Sequence, residues 1–245
     1  MFSKKKAILL IHGFVGGIYD FDNLGNELHL YKKFDVFSFT LPGHDMTIVK
    51  DYKYQDWIHE SERQMQFLLN NGYKEIYIIG HSMGGVIAAY LASIYKEVKK
   101  LVLAAPAFGY FSFKDGAIDI KGFNNILKEL TELVKEEDMD FVKSRIIKTP
   151  ISTMIEFTKL VDKYYESVKY INAETLIIHG NNDQIVPKEA ATHVYNNIKS
   201  KVNILYNVKE VNHNCFKGKR NNELKDIIIN FLESKNKQKK ETLNI

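Results

Sequence analysis

Cysteine is almost missing from this chain. Cys215 stands alone among 245 residues, so no internal disulfide can form, and a reducing cytoplasm suits the protein. No apolar run approaches the length needed to cross a bilayer, which excludes an integral membrane segment as a partner-binding or anchoring device. The opening "MFSKKKAILLIHGF" has lysines ahead of apolar residues. Its apolar part, Ala7 to Ile11, is only 5 residues long and no small-residue cleavage site follows, so it reads as a buried strand rather than a signal peptide. A strong charge of one sign is also lacking. The net +4 arises from 34 basic against 30 acidic residues, and much of it sits in "SKNKQKKE" near the end, so the near-neutral body argues against a nucleic-acid partner. Neither internal repeats nor long low-complexity segments occur. No cysteine or histidine cluster has zinc-site spacing, so no zinc site is expected.

What is present is an alternation of short apolar runs with helical patterns. Strand candidates are Ala7 to Ile11, Phe34 to Phe39, Glu75 to Ile79, Leu101 to Ala105, Thr175 to His179 and Val202 to Tyr206. Most are apolar throughout, as in strands covered by helices on both faces. Helical patterns fall around Asp20 to Leu30, from Tyr54 to Leu69, from Ser82 onward, from Lys188 to Ile198 and from Asn221 to Leu232. The fold class is therefore α/β, with a mainly parallel sheet of about six strands flanked by helices.

One interval breaks this rhythm. From about Phe108 to Tyr170 no strand is evident, and the connection is far longer than an ordinary βα crossover. It holds "FNNILKELTELV" and "IEFTKLVDKYYESV", both with apolar residues at helical spacing. These are either amphipathic helices lying on the sheet or a helical cap over a site; insertions of this length are usually functional. The expected division is a core of residues 1–107 and 171–234, a cap of 108–170, and a basic, disordered tail of 235–245.

The chemistry centres on "IGHSMGG", Ile79 to Gly85. A Gly-X-Ser-X-Gly pattern fixes only three residues and can arise by chance. Here an apolar strand ends immediately before it and a helix of small residues opens immediately after it, so a tight strand-turn-helix junction should push the Ser82 hydroxyl out at the carboxyl edge of the sheet, over the positive end of the helix. A serine hydroxyl needs a base, and the base an orienting acid, placed in the order serine, acid, histidine on loops after later strands. "ETLIIHG" is followed by "NNDQIVP", which places Asp183; "VNILYN" is followed by "VKEVNHNCF", which places His213. A turn or helix-capping role is the other reading of Asp183. Among competing histidines, His12 and His81 are motif neighbours, His179 ends a strand, His193 falls within a helix, and His29 and His59 read as surface residues. An oxyanion needs backbone donors: Met83 follows the serine, and Phe14 follows Gly13 in "LLIHGFVGG" on the loop after the first strand.

From His12-Gly13 to His213 the chain resembles an α/β-hydrolase, and within that superfamily it is similar to compact bacterial carboxylesterases and monoacylglycerol lipases. The resemblance implies a hydrolase core with a small helical cap, Ser82 as nucleophile, His213 as general base and acid, Asp183 as its orienting partner, and Phe14 and Met83 as oxyanion donors. "LPGHD" matches a family loop, with Asp45 where a small residue is usual, so His44 is assigned a structural role. The implied reaction is hydrolysis of a small-molecule carboxylic ester through an acyl-enzyme, with no cofactor.

Substrate choice is less defined. Phe108, Phe111, Phe113, Ile126, Leu130, Ile151, Met154, Ile155 and Phe157 could line a pocket for a medium aliphatic acyl chain, or form the cap's own core. A lysophospholipid or thioester would meet the same machinery. Carbon-carbon bond hydrolases use the same triad, but Arg145 is the only arginine in the cap. A non-catalytic ligand-binding relative typically lacks a triad member. The basic tail could aid weak surface association with an anionic membrane or act as a solubilising end. Oligomeric state is not legible.

Overall fold

The computed structural model describes residues 6–31, 33–44, 50–109, 113–114, 117–118, 148–183, 185–235 and 238–245. Its strands are β1 (Lys6–Ile11), β2 (Asp35–Ser38), β3 (Glu75–His81), β4 (Val98–Ala104), a short antiparallel pair β5 (Phe113–Lys114) and β6 (Ala117–Ile118), then β7 (Glu174–Gly180), β8 (Val202–Val208) and β9 (Lys239–Asn244). The helices are α1 (Leu24–Leu30), α2 (Tyr54–Asn70), α3 (Met83–Ile94), α4 (Ile151–Tyr164), α5 (Lys188–Asn197) and α6 (Asn221–Glu233).

Seven strands form one sheet in the order β2-β1-β3-β4-β7-β8-β9, and every neighbouring pair is parallel. The central strands are buried almost throughout because both faces are covered. On one face Leu24 and Leu28 of α1 and Leu224, Ile228 and Phe231 of α6 meet Ile8, Ile79, Val102, Leu176 and Ile178. On the other, Trp57 and Met65 of α2, Val86 and Leu91 of α3, Leu160 of α4 and Val194 of α5 meet Leu9, Ile78, Leu103 and Ile177. The order of strands reverses direction at β1, with β2 on one side and β3 on the other. Loops leaving β1 and β3 therefore part company there, opening a crevice at the carboxyl edge of the sheet.

The sheet has one strand more than the six read from the sequence, and the extra one corrects the expected disordered tail. Residues Lys239–Asn244 pair in parallel with β8, Lys240 opposite Asn203 and Leu243 opposite Tyr206. Lysine-rich sequence hides an edge strand well, because its outer side faces water. β4 also begins earlier than expected, at Val98. Its Lys100 is buried, pairs with Glu174 at 2.8 Å and donates to the carbonyls of Phe231 and Ser234 at the end of α6. The helix expected from Asp20 is displaced: Ile18–Phe21 is a single 3-10 turn and α1 starts at Leu24.

Most of the expected cap segment 108–170, including "FNNILKELTELV" with Ile126 and Leu130, Phe111 and Arg145, and the side chain of Phe113, lies outside the described residues. The second expected helix is α4, which packs on α2 and α3. Its Glu156 accepts the backbone N–H of Tyr54 at 3.2 Å, and its Tyr164 ring meets those of Tyr54 and Tyr90.

Candidate active site

The strand-turn-helix around Ser82 forms for a steric reason. A Cβ at Gly80 would strike the carbonyl of Gly84 and the Cβ of Ala88; one at Gly84 would strike the carbonyls of Ile11 and His12. Only glycine at both positions lets α3 start against β1 and β3. Ser82 caps α3 with φ 53° and ψ −117°, a conformation that costs a non-glycine residue on the order of 1–3 kcal/mol. The neighbouring backbone holds it there. The Ser82 N–H donates to Ala104 O at 2.9 Å, and its carbonyl accepts from Gly85 N–H at 2.9 Å and Ala107 N–H at 3.2 Å.

Three residues from three loops meet at this turn. The Ser82 hydroxyl lies 3.0 Å from His213 Nε2, and His213 Nδ1 lies 2.9 Å from Asp183 Oδ2. Asp183 also uses Oδ1 to accept the backbone N–H groups of Ile185 and Val186, each at 2.9 Å. Its carboxylate is fully shielded from water. Burial alone would raise its pKa, but His213 and the two amides outweigh that and hold the carboxyl below its ordinary value of 3.8. A carboxylate so placed fixes the His213 tautomer, with Nδ1 carrying a proton and Nε2 turned toward the hydroxyl.

Met83 follows the serine directly in the chain, and Phe14 follows Gly13 on the loop after β1. Met83 is the first residue of α3, so its N–H belongs to the positive end of the helix. Gly13 abuts the turn, since a Cβ there would lie 3.2 Å from Ser82 Cβ. The Gly13 carbonyl accepts from Gly16 N–H at 3.1 Å and lies 2.8 Å from His12 Nδ1. In a trans peptide the following N–H points opposite to that carbonyl, so the Phe14 amide is aimed by what holds Gly13. His12 is itself fixed, its Nε2 accepting Leu41 N–H at 2.9 Å. His44, from "LPGHD", packs its ring against His12, Phe14 and Trp57.

The other expected pocket residues are divided by the fold. Phe157 of α4 is buried and stacks on Phe14 with ring centroids 4.9 Å apart, and Met154 one turn earlier is also buried. Ile155 is half-buried. Phe108 is fully buried and faces the rings of Tyr165 and His193. Ile151 departs from the expectation: it is 67% exposed at the first turn of α4.

Two buried residues at the site escaped the sequence reading. Asp20 accepts the N–H of Gly13 at 2.9 Å and that of Gly17 at 3.3 Å, and its Oδ2 is 3.4 Å from His81 Nδ1. His81 Nε2 lies 3.0 Å from the His213 carbonyl. Burial opposes the charge on both side chains; their mutual attraction prevails, lowering the Asp20 carboxyl and raising the His81 imidazole above its ordinary 6.5. Gly16 and Gly17 just before Asp20 are the only local hint, because a Cβ at Gly16 would collide with the carboxylate. Nearby His179 is pushed down by burial, which the Asp183 charge does not offset, and burial pushes the Cys215 thiol up. Among the described residues no group of histidine, cysteine and carboxylate side chains could hold a metal ion, and no helix is long and apolar enough to cross a membrane.

A parallel sheet of this order, with a serine at the β3–α3 turn and acid and histidine on the loops after β7 and β8, defines an α/β-hydrolase. The chain belongs to the Hydrolase_4 family, described as serine aminopeptidase, S33, whose model matches residues 3–219. It is 24% identical over 240 residues to a carboxylesterase of Bacillus subtilis (strain 168), covering 93% of this chain and 92% of that protein. In structure it is similar to one of two metagenome-derived lipolytic enzymes, with a TM-score of 0.74, 18% identity and 94% of each chain covered. It is likewise similar to the monoacylglycerol lipase of Paleococcus ferrophilus, with a TM-score of 0.70, 18% identity and 92% and 93% of the two chains covered.

Proposed function

We propose that this protein is a serine hydrolase that cleaves carboxylic esters bearing a medium aliphatic acyl chain, as a carboxylesterase or monoacylglycerol lipase would. The observation that carries this reading is the continuous chain Ser82 Oγ, His213 Nε2, His213 Nδ1, Asp183 Oδ2, with links of 3.0 and 2.9 Å. His213 takes the hydroxyl proton as Ser82 attacks the ester carbonyl, and Asp183 stabilises the imidazolium that results. The N–H groups of Phe14 and Met83 hold the oxyanion. His213 then delivers its proton to the departing alcohol, leaving an acyl group on Ser82. Water activated by the same histidine releases the acid and restores the serine.

Residues 108–170 act in this reading as a cap over the core. Phe157, stacked on Phe14, and Met154 line the acyl side of the crevice, where each buried methylene of substrate contributes roughly 0.8 kcal/mol. Phe108 and half-buried Ile155 complete that wall. Lysophospholipids and thioesters offer the same carbonyl to the same groups and are the alternative substrates.

Ser82→Ala should abolish turnover of p-nitrophenyl butyrate while the circular dichroism spectrum stays that of the parent. Retained turnover would refute the assignment. A series of p-nitrophenyl esters from two to twelve carbons should give kcat/KM rising to a maximum at intermediate length.

A further inference from the structure

We propose that Asp20 and His81 form a buried ion pair that positions both halves of the active site, tying the oxyanion loop to the loop that carries the base. The inference rests on the assignment of Ser82, His213 and Asp183 made above and goes beyond it, since neither residue touches the reacting atoms.

The geometry points to this role in three ways. His81 directly precedes Ser82, and its two ring nitrogens face two acceptors, the Asp20 carboxylate at 3.4 Å and the His213 carbonyl at 3.0 Å. A neutral imidazole has one donor and would turn a lone pair toward one of these oxygens; the imidazolium donates to both. Asp20 in turn accepts the N–H of Gly13 at 2.9 Å, the residue whose carbonyl aims the Phe14 amide. One proton on His81 thus links the turn bearing the nucleophile, the loop after β1 and the loop after β8. The pair is 9% exposed at Asp20 and 5% at His81, so water does little to screen it.

Among the described residues, the charged or titratable groups around His81 come from three loops. Asp20 and His12 come from the loop after β1, Asp183 from the loop after β7, and His213 from the loop after β8, its ring 5.1 Å from that of His81; Phe216 supplies an apolar edge. The imidazole is held above its ordinary value, so the stabilisation it contributes is complete below 6.5 and is lost as pH rises through the raised value. Activity should therefore carry an alkaline limb that reports deprotonation of His81.

The test is the pH profile of kcat/KM for p-nitrophenyl butyrate in the parent, in Asp20→Asn and in His81→Gln, with Ser82→Ala as control. In Asp20→Asn the alkaline limb should move to lower pH by roughly one to three units, the size of a lost opposite charge. In His81→Gln the limb should vanish, and kcat should fall on the order of a hundredfold, as small misplacements of catalytic groups cause. A residue that only supported the fold would lower the melting temperature and leave the limb in place. An unmoved limb in either variant, with the Ser82→Ala control inactive, overturns the ion-pair role. An active Ser82→Ala control would overturn the underlying assignment instead.

Discussion

Asp183 is the residue at which electrostatics and orientation can be separated most cleanly. Asp183→Asn keeps the shape but offers His213 Nδ1 an amide that can present N–H as readily as oxygen, so the wrong tautomer becomes accessible. We expect kcat to fall on the order of 10⁴-fold with KM nearly unchanged, measured by steady-state ester hydrolysis. A stability signature should accompany it. The native carboxyl lies below 3.8, so it contributes stability above that value and loses it as pH falls through the lowered one. The asparagine variant should accordingly show a flatter acid limb in urea-denaturation midpoints between neutral pH and pH 3.

At the scale of elements, the junction of β3 with α3 decides whether the site exists. Gly84 lies where α3 crosses the end of β1, and an added methyl would meet the carbonyls of Ile11 and His12. Gly84→Ala should cost roughly 1–3 kcal/mol, the range for overpacking, and lower the melting temperature by about 2–4 °C for each of them. Because β1 leads directly into His12, Gly13 and Phe14, ester turnover should drop as well. Differential scanning calorimetry and kinetics on the same preparation check both, and an unchanged melting point would remove the steric argument.

The whole molecule is closed by a strand that composition disguises. β9 adds to β8 through the N–H of Lys239 on Lys201 O and of Ile245 on Asn207 O, and Leu243 and Ile245 cover the core face shared with α6. Deleting residues 236–245 should lower the melting temperature while kcat/KM well below the transition stays that of the full chain, since the triad lies on the loops after β3, β7 and β8. Unchanged thermal stability would show that β9 adds nothing to the sheet. The hydrolase core and the order of its loops were legible in the sequence, because each central strand is a continuous apolar run and each loop follows its strand directly. β9 was not, because its residues are lysine-rich and polar. Ile151 is exposed for a different reason: an apolar residue in a cap segment need not have a partner that covers it.

By itself, the sequence determined the alternation of strands and helices, the Gly80-X-Ser82-X-Gly84 turn, and the succession Ser82, Asp183, His213. These are local patterns, set by side-chain periodicity and by glycine's lack of a Cβ. Only the tertiary structure decided that Asp20 meets His81, that His81 reaches the carbonyl of His213, and that the last residues join the sheet. Those contacts join positions 61, 132 and about 40 residues apart, and pairing at such separations depends on the parallel stacking of strands, which no local pattern records.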